Sequence, residues 1–257
     1  MAALTITRGI VLSKYDFREA DRLYSVFTRD HGKLELIGRG ARKPLAKLAS
    51  HLEFVCEADF FIVHGKTFET VAGVERQTLF SGIYEDTSKM VLTHQSLSCL
   101  DLLIKPKQVD GDLYVFLFEW LVFVDSCPVL RQERSGFLLA AFLGRCIAVL
   151  GHEPELYACL ECRCSIASGS YVWHALRGGV VCRSCLDRHQ EQWFSARGIQ
   201  DDTLKLLRFI LKHPFSDWLH PRLSSNILSE FHDIIESFLL THTSLVPTVS
   251  LRDAICV

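Results

Sequence analysis

The first part of the chain alternates apolar and polar residues in short runs, a pattern typical of half-buried β-strands. Five runs rich in β-branched and aromatic residues predict strands over residues 6–12, 23–28, 33–37, 52–63 and 67–74. A hairpin turn fits the segment Asp30-His31-Gly32-Lys33, in which Gly32 can adopt a positive φ at little cost. Five strands in so short a stretch predict a small closed barrel, and the OB barrel is the common five-stranded one.

After residue 80 the apolar residues recur three and four positions apart, which is the period of amphipathic helices. This pattern predicts helices over residues 84–104, 113–124, 136–150, 201–212 and 225–240. We therefore predict an α+β chain with more than one domain, in which an OB-fold barrel over residues 1–78 precedes an all-α domain over residues 79–257. A cysteine-rich insertion interrupts the second domain at about residues 156–188.

The composition is that of a folded protein, because 49% of the 257 residues are hydrophobic and 23% are charged. The N-terminus lacks the basic and apolar regions of a secretory signal, so we expect the chain to stay in the cytoplasm. The most apolar segment, residues 113–124, contains Glu119 and is shorter than the roughly 20 residues of a membrane span. We expect it to be a buried helix, with no membrane association. The cysteines that occur singly are expected to be buried thiols.

Four cysteines in two matched pairs are the strongest chemical signal. Cys159 and Cys162 are separated by two residues, nineteen residues follow, and Cys182 and Cys185 repeat the spacing. This spacing is typical of structural zinc sites, because both thiolates of each pair can reach one ion and four sulfurs complete a tetrahedron. Four thiolates leave no coordination position for a substrate. The sequence predicts one structural Zn²⁺ per chain, and loss of the ion should unfold at least this insertion.

Two other residues are alternative ligands, Cys164 beside the first pair and His174 between the pairs, although neither has the paired spacing. The competing interpretation is that all these cysteines are buried or redox-active thiols. A zinc deaminase is disfavoured, since that class needs H-x-E upstream of P-C-x-x-C. Here Glu153 directly follows His152, and Ala158 precedes the first pair.

Charge is distributed unevenly along the chain. The net charge is −2, yet residues 1–50 contain ten Lys or Arg against five acids. A run from Arg39 to Lys47 follows a predicted strand and contains no acid, so it could lie along phosphates at a barrel rim. The alternative is an ordinary solvated loop. Candidate aromatics for base stacking, each of which could equally fill the barrel, are Tyr15, Phe17, Tyr24 and Phe27.

Three features occur in one order: the barrel with His31-Gly32-Lys33 and Gly38-Arg39-Gly40-Ala41-Arg42-Lys43, then apolar helices, then the inserted cysteine pairs. In this order the chain resembles the RecO family of bacterial recombination mediator proteins. The resemblance implies an OB-fold domain, a helical domain with a zinc site, and a nucleoid-associated role in the RecF pathway of DNA repair. The implied activities are binding of single- and double-stranded DNA, annealing of complementary strands, partnership with RecR, and help for RecA in replacing single-strand-binding protein. The DNA-binding residues that it implies are Arg39, Arg42 and Lys43, with Lys33 and Lys47 nearby.

Two other functional classes are open to test. One is a protein-interaction adaptor that does not bind DNA, in which the helical domain is the working surface. The other is an enzyme such as a nuclease, but the sequence contains neither a two-metal carboxylate cluster nor a phosphate-cradling G-x-x-x-x-G-K-[ST] motif. We therefore expect a protein without catalytic activity.

Overall fold

The computed structural model describes residues 4–43, 52, 55–65 and 68–243. Contacts between residues divide the chain into two compact units, Met1–Val129 and Leu130–Val257. The predicted boundary after residue 78 lies next to the end of the last barrel strand at Leu79. The division by contacts also assigns the next two helices to the unit that contains the barrel. The two units are described separately below.

Five strands of the first unit form the closed barrel that the alternating pattern predicts. The strands are β1 Leu4–Asp16, β2 Arg22–Thr28, β3 Gly32–Gly38, β4 Cys56–Val63 and β5 Glu69–Leu79. Each strand is hydrogen-bonded to the next in the order β1-β2-β3-β5-β4, and β4 pairs with β1 to close the barrel. All pairings are antiparallel except β3 with β5. The predicted α+β class with an N-terminal OB-like barrel is confirmed.

Alternation along the strands builds the barrel core. Tyr24, Val26 and Leu36 from β2 and β3, with Phe60 and Ile62 from β4, have no exposed surface. Burial of each such side chain contributes about 1.5–3 kcal/mol, so the inward-facing residues specify which face of each strand lies inside. The barrel is therefore a packed core, and a nucleic acid could contact only its outside and its ends.

The β2–β3 hairpin turns as the sequence predicts, at Gly32 with φ of +67°. The hydroxyl of Thr28 donates to the Gly32 carbonyl at 2.7 Å and accepts from the His31 N–H at 3.1 Å. A Cβ on Gly32 would lie 2.3 Å from the carbonyl oxygen of Gln108, so glycine is required for space as well as for φ.

Two helices complete the first unit, α1 Thr87–Leu103 and α2 Gly111–Ser126. The first begins later than predicted, because the Asp86 carboxylate accepts from the Ser88 N–H and caps the helix, and a short 3₁₀ turn precedes it. The apolar α2 is largely buried, and its Tyr114 hydroxyl donates to the Glu57 carboxylate on β4 at 2.9 Å. Among the described residues, no helix is both long and apolar enough to cross a membrane.

The second unit contains helices and a small three-stranded sheet, and this sheet extends to residues 197–198, beyond the insertion predicted at about residues 156–188. The helices are α3 Gln132–Val149, α4 Arg183–Arg188, α5 Asp201–Lys212 and α6 Ser225–His242. Helices α3 and α6 approach closely at Gly144, since a Cβ there would be 2.6 Å from Cδ1 of Ile235. The sheet has the order β7-β6-β8, with β6 Tyr171–His174, β7 Gly179–Cys182 and β8 Arg197–Gly198.

Candidate metal centre and nucleic-acid interface

The structure brings together all four cysteines that the spacing predicts as ligands. The sulfurs of Cys159, Cys162, Cys182 and Cys185 all lie within 4.8 Å of one another. The Sγ atoms of Cys162 and Cys182 are 3.8 Å apart. Four sulfurs at about 2.3 Å from a central ion in a tetrahedron are also separated by about 3.8 Å. The donor set and its spacing therefore fit a single tetrahedral Zn²⁺.

Local structure on both sides of the cluster holds the thiols in place. Cys182 ends β7, and Cys185 lies in the first turn of α4. The chain therefore changes from strand to helix between these two cysteines, and both sulfurs lie near those of the first pair. Cys159 and Cys162 lie in a tight turn closed by the Arg163 N–H, which donates to the Cys159 carbonyl at 3.0 Å. Arg163 itself has φ of +60°, a left-handed conformation uncommon for a side chain larger than glycine.

The turn that contains Cys159 and Cys162 is attached through Glu155 to the two-stranded ribbon of β6 and β7. The Val180 N–H donates to the Glu155 carbonyl at 3.0 Å, and the Leu160 N–H donates to the Val180 carbonyl at 2.9 Å. A Cβ on Gly179 would lie 2.7 Å from the Glu155 carbonyl oxygen, so this close approach requires glycine. The Glu155 carboxylate also pairs with the Arg163 guanidinium at 3.1 Å. Together these contacts align the two cysteine pairs.

Backbone N–H groups favour the thiolate form of the first pair. The Cys164 N–H and the adjacent Cys164 thiol lower the pKa of Cys162 to about 6. Burial raises the pKa of Cys159, but N–H groups of Cys182, Cys162 and Glu161 outweigh it and leave that pKa below its usual value. Burial and neighbouring thiols raise the pKa of Cys185. A bound divalent cation favours deprotonation of such a thiol, because its charge stabilises the thiolate.

The two alternative ligands lie outside this group of four. The sulfur of Cys164 is 3.3 Å from that of Cys162. It does not lie within 4.8 Å of all four clustered sulfurs, which is the distance that separates those sulfurs at most. His174 is buried, and its Nδ1 accepts from the Arg177 N–H at 3.2 Å. Its Nε2 therefore carries the proton and donates to the Ser195 hydroxyl at 3.1 Å. Both ring nitrogens of His174 are thus engaged away from the cluster.

We call the basic run from Arg39 to Lys47 the basic loop. It follows the end of β3 at Gly38, and residues 38–43 lie against the turn between β1 and β2, residues 17–21. Asp21 accepts from the Gly40 N–H at 2.8 Å, and the Arg42 N–H donates to the Ala20 carbonyl at 3.0 Å. The Arg42 guanidinium reaches the Arg18 carbonyl at 3.3 Å and the Asp16 carboxylate at 3.4 Å. We call this surface, residues 16–22 and 38–43, the basic end of the barrel.

Three of the predicted DNA-binding residues lie exposed at the basic end: Arg39, Arg42 and Lys43. Arg42 forms an ion pair with Asp16, whereas Arg39 and Lys43 form no ion pair with any of the described residues. Lys47 lies outside the described residues. The charges of Arg39 and Lys43 are thus available to solvent or to a ligand.

Lys33 is placed differently from the other predicted DNA-binding residues. Its side chain is 14% exposed, and its ammonium lies 3.2 Å from the Asp101 carboxylate on α1 and also donates to the Asp101 carbonyl at 2.5 Å. The same carboxylate accepts from the hydroxyls of Ser13 and Ser25 at 2.6 Å each. Lys33 therefore holds α1 against the barrel, and its charge is already compensated. Asp101 is 68 residues away in the chain, so no local pattern indicated this partner.

The structure also separates the four candidate stacking aromatics. Tyr24 and Phe27 are fully buried, so they belong to packed cores. Tyr15 is 57% exposed on β1. Phe17 lies at the basic end, and its ring contacts Phe68, which the sequence did not single out, with centroids 5.4 Å apart.

An OB-like barrel with a basic end and a helical unit that carries a four-cysteine cluster define an OB-like protein whose cluster is compatible with a bound metal ion. The family comparison is more specific. Residues 1–80 match the family model described as Recombination protein O N terminal, and residues 94–252 match Recombination protein O C terminal. The chain belongs to the RecO family, as the resemblance indicated.

Curated relatives agree over most of the chain's length. The DNA repair protein RecO of Moorella thermoacetica is 30% identical over 199 residues, which cover 77% of this chain and 72% of the relative. That of Caldanaerobacter subterraneus subsp. tengcongensis is 28% identical over 239 residues and 93% of each chain. That of Symbiobacterium thermophilum is 26% identical over 243 residues, which cover 94% of this chain and 93% of the relative. The similarity thus includes both the barrel and the helical unit.

Proposed function

We propose that this chain is a DNA repair protein that acts in the RecF recombination pathway by binding DNA and annealing complementary single strands. The family supports the role, since its relatives are named DNA repair protein RecO. The observation that identifies a DNA-binding surface for this proposal is the basic end of the barrel, where Arg39, Arg42 and Lys43 are exposed on one loop. Cations at such a surface bind phosphates and release counterions, so binding should weaken as salt rises.

The proposed mechanism of annealing is electrostatic. Two complementary strands repel each other through their phosphates, and a cationic surface that binds the backbone reduces this repulsion while the bases stay free to pair. No bond is made or broken in the nucleic acid, so we propose a protein without catalytic turnover. In the cell, this activity would be combined with RecR to help RecA load onto DNA coated by single-strand-binding protein. We propose the cytoplasm, in association with the nucleoid, as the place of action.

For the metal centre we propose one structural Zn²⁺ held by Cys159, Cys162, Cys182 and Cys185. The ion would supply four strong bonds between two loops that are otherwise joined by a short ribbon. Cys159 and Cys185 are fully buried in one cluster with Trp193 and Val181, so the bound ion would be part of a small core. A site with four thiolates leaves no open position for a substrate, so its contribution is to stability.

Strand annealing by the full chain tests the proposed function. The basic-loop variant replaces Arg39, Arg42 and Lys43 by Ala. A control variant removes the same number of exposed cations elsewhere, at Lys105, Lys205 and Arg222. Both changes lower the net charge equally, and surface ion pairs such as Arg42 with Asp16 contribute at most about 1 kcal/mol to stability. We expect slower annealing with the basic-loop variant and normal annealing with the control.

Each possible result identifies a different function. Annealing that neither variant changes would remove the basic end from the DNA site. A wild-type chain that neither binds nor anneals DNA would favour the adaptor function instead. Metal-dependent cleavage of the strands would contradict the proposal that the protein has no catalytic activity. Repeating the assay with single-strand-binding protein and RecR tests the proposed partners separately from DNA binding.

A further inference from the structure

An aromatic pair, Phe17 of the basic end and its neighbour Phe68, lies outside the barrel core. Phe17 and Phe68 contact each other edge to face, with an interplanar angle of 67°. Phe68 is 36% exposed, and Phe17 is half-buried. Phe17 follows β1 and Phe68 precedes β5, so two loops of the barrel bring the rings together.

An arginine covers one face of the Phe17 ring. The Arg18 guanidinium carbon lies 5.0 Å from the centroid of the Phe17 ring, and the Arg18 side chain is exposed. An exposed cation–π contact of this kind is weak, so the Arg18 side chain can move off the ring and free the face that it covers. Planar nucleobases stack on phenylalanine rings, so a base could take the place of the guanidinium on the Phe17 ring.

The electrostatic setting favours an anionic strand. Residues 16–22 and 38–43 contain five basic side chains against three acids, and Asp16 is paired with Arg22 and Arg42. Asp21 accepts a backbone hydrogen bond from Gly40, which binds the Phe17 turn directly to the basic loop. A strand whose phosphates lie along that loop would therefore have its bases near the ring pair.

We propose that Phe17, Phe68 and Arg18 form a stacking site for one unpaired nucleobase of a single strand. This proposal rests on the proposed DNA binding and adds a preference to it. Only single strands offer exposed base faces, whereas a duplex can use the phosphate contacts alone. Stacking at this site would hold a single strand before it pairs. Base pairing would then release the base, because it buries the face on which the base stacks.

The test combines a protein variant with a change in the ligand. Binding of an oligodeoxythymidine is compared with binding of a strand of equal length in which every sugar lacks its base. The full chain carries either Phe17→Ala, Phe17→Tyr, or Phe194→Ala, which removes another ring that is 80% exposed. Thermal unfolding of each variant checks that the fold is kept.

We expect Phe17→Ala to weaken binding of oligodeoxythymidine about 5- to 150-fold, the range for loss of one stacked base. On the strand without bases the same variant should bind like the wild type, because no stacking is left to lose. Phe17→Tyr and Phe194→Ala should bind both strands normally. The salt slope should be unchanged in Phe17→Ala, since a phenylalanine releases no counterions.

The outcomes distinguish this proposal from the one on which it rests. If Phe17→Ala binds oligodeoxythymidine as tightly as the wild type, or loses equal affinity for both strands, the stacking site is wrong while salt-dependent DNA binding stands. If the wild type binds neither strand at low salt, both proposals are overturned.

Discussion

The buried pair of Lys33 and Asp101 allows a sharp test of how the barrel holds its first helix. The Asp101 side chain is 10% exposed, and three groups donate to its carboxylate. Ser13 and Ser25 face each other across β1 and β2, so the two hydroxyls reach the carboxylate from adjacent strands. Replacing Asp101 by Ala removes the acceptor and leaves an ammonium with only the backbone carbonyl as a partner.

The cost follows from burial. Removing one partner of a buried ion pair costs about 3–5 kcal/mol, mainly because the remaining charge is uncompensated. We therefore expect Asp101→Ala to lower the free energy of unfolding of the first unit by about 4 kcal/mol. Lys33→Met keeps much of the stem's packing and leaves the carboxylate with two serine donors, so it should cost less, about 2 kcal/mol. In the double variant no buried charge remains, and the cost should fall short of the sum by about 1–3 kcal/mol.

Hydrogen exchange of peptides from β1 to β3, followed by mass spectrometry, measures the opening free energy of this unit separately from the rest of the chain. The same variants are compared in DNA binding. Additive costs in the double variant would show that the pair is not coupled. A Lys33→Met variant with normal stability and weaker, less salt-dependent DNA binding would refute the structural role and restore Lys33 as a phosphate contact.

Three further predictions concern the metal centre and the barrel surface. Elemental analysis of the wild type should find one zinc per chain, and Cys159→Ser should lose it with faster hydrogen exchange in the ribbon; a folded chain without metal contradicts this. The Gly179→Ala variant should lose zinc to a chelator faster than the wild type, because the added Cβ would be 2.7 Å from a backbone carbonyl oxygen. The Gly198→Ala variant, whose added Cβ meets open space, should lose zinc at the wild-type rate. Equal rates in both variants would refute the importance of the close contact at Gly179. Arg8 holds the pKa of Asp59 below its usual value, so the stability from this pair is present above about pH 4 and is lost as the pH falls through the lowered pKa. Urea unfolding of Asp59→Asn should therefore show a weaker acid dependence, and parallel curves would contradict it.

Periodicity in the sequence predicted most of the fold, because burial requires the same pattern that the strands and helices display. The barrel strands lie where alternating runs occur, although β1 extends over thirteen residues and β4 begins only at Cys56. The boundaries of the elements differ from the predicted ones where a side chain caps a helix or where strand pairing continues beyond the apolar run. Asp86 is an example, since its cap starts α1 after the predicted position.

The candidate sites differ in how far the sequence could reveal them. The clustering of the four cysteines was predictable, because two pairs at this spacing are typical of residues that meet at one metal ion. The role of Lys33 was not predictable, because its partner is 68 residues away and lies on another element. Phe68 was missed for the same reason, since only the closed barrel brings it to Phe17. Long-range pairs depend on topology, and local pattern carries no information about them.

The salt dependence of binding to a single strand tests the central proposal most directly, that the basic end of the barrel binds the nucleic-acid backbone. Each phosphate contact contributes about 0.7 to the slope of log affinity against log salt for single strands. The basic-loop variant should therefore reduce the slope by up to about 2, whereas the control variant of equal net charge should keep the wild-type slope. An unchanged slope in the basic-loop variant, or an equal reduction in both variants, would contradict the account.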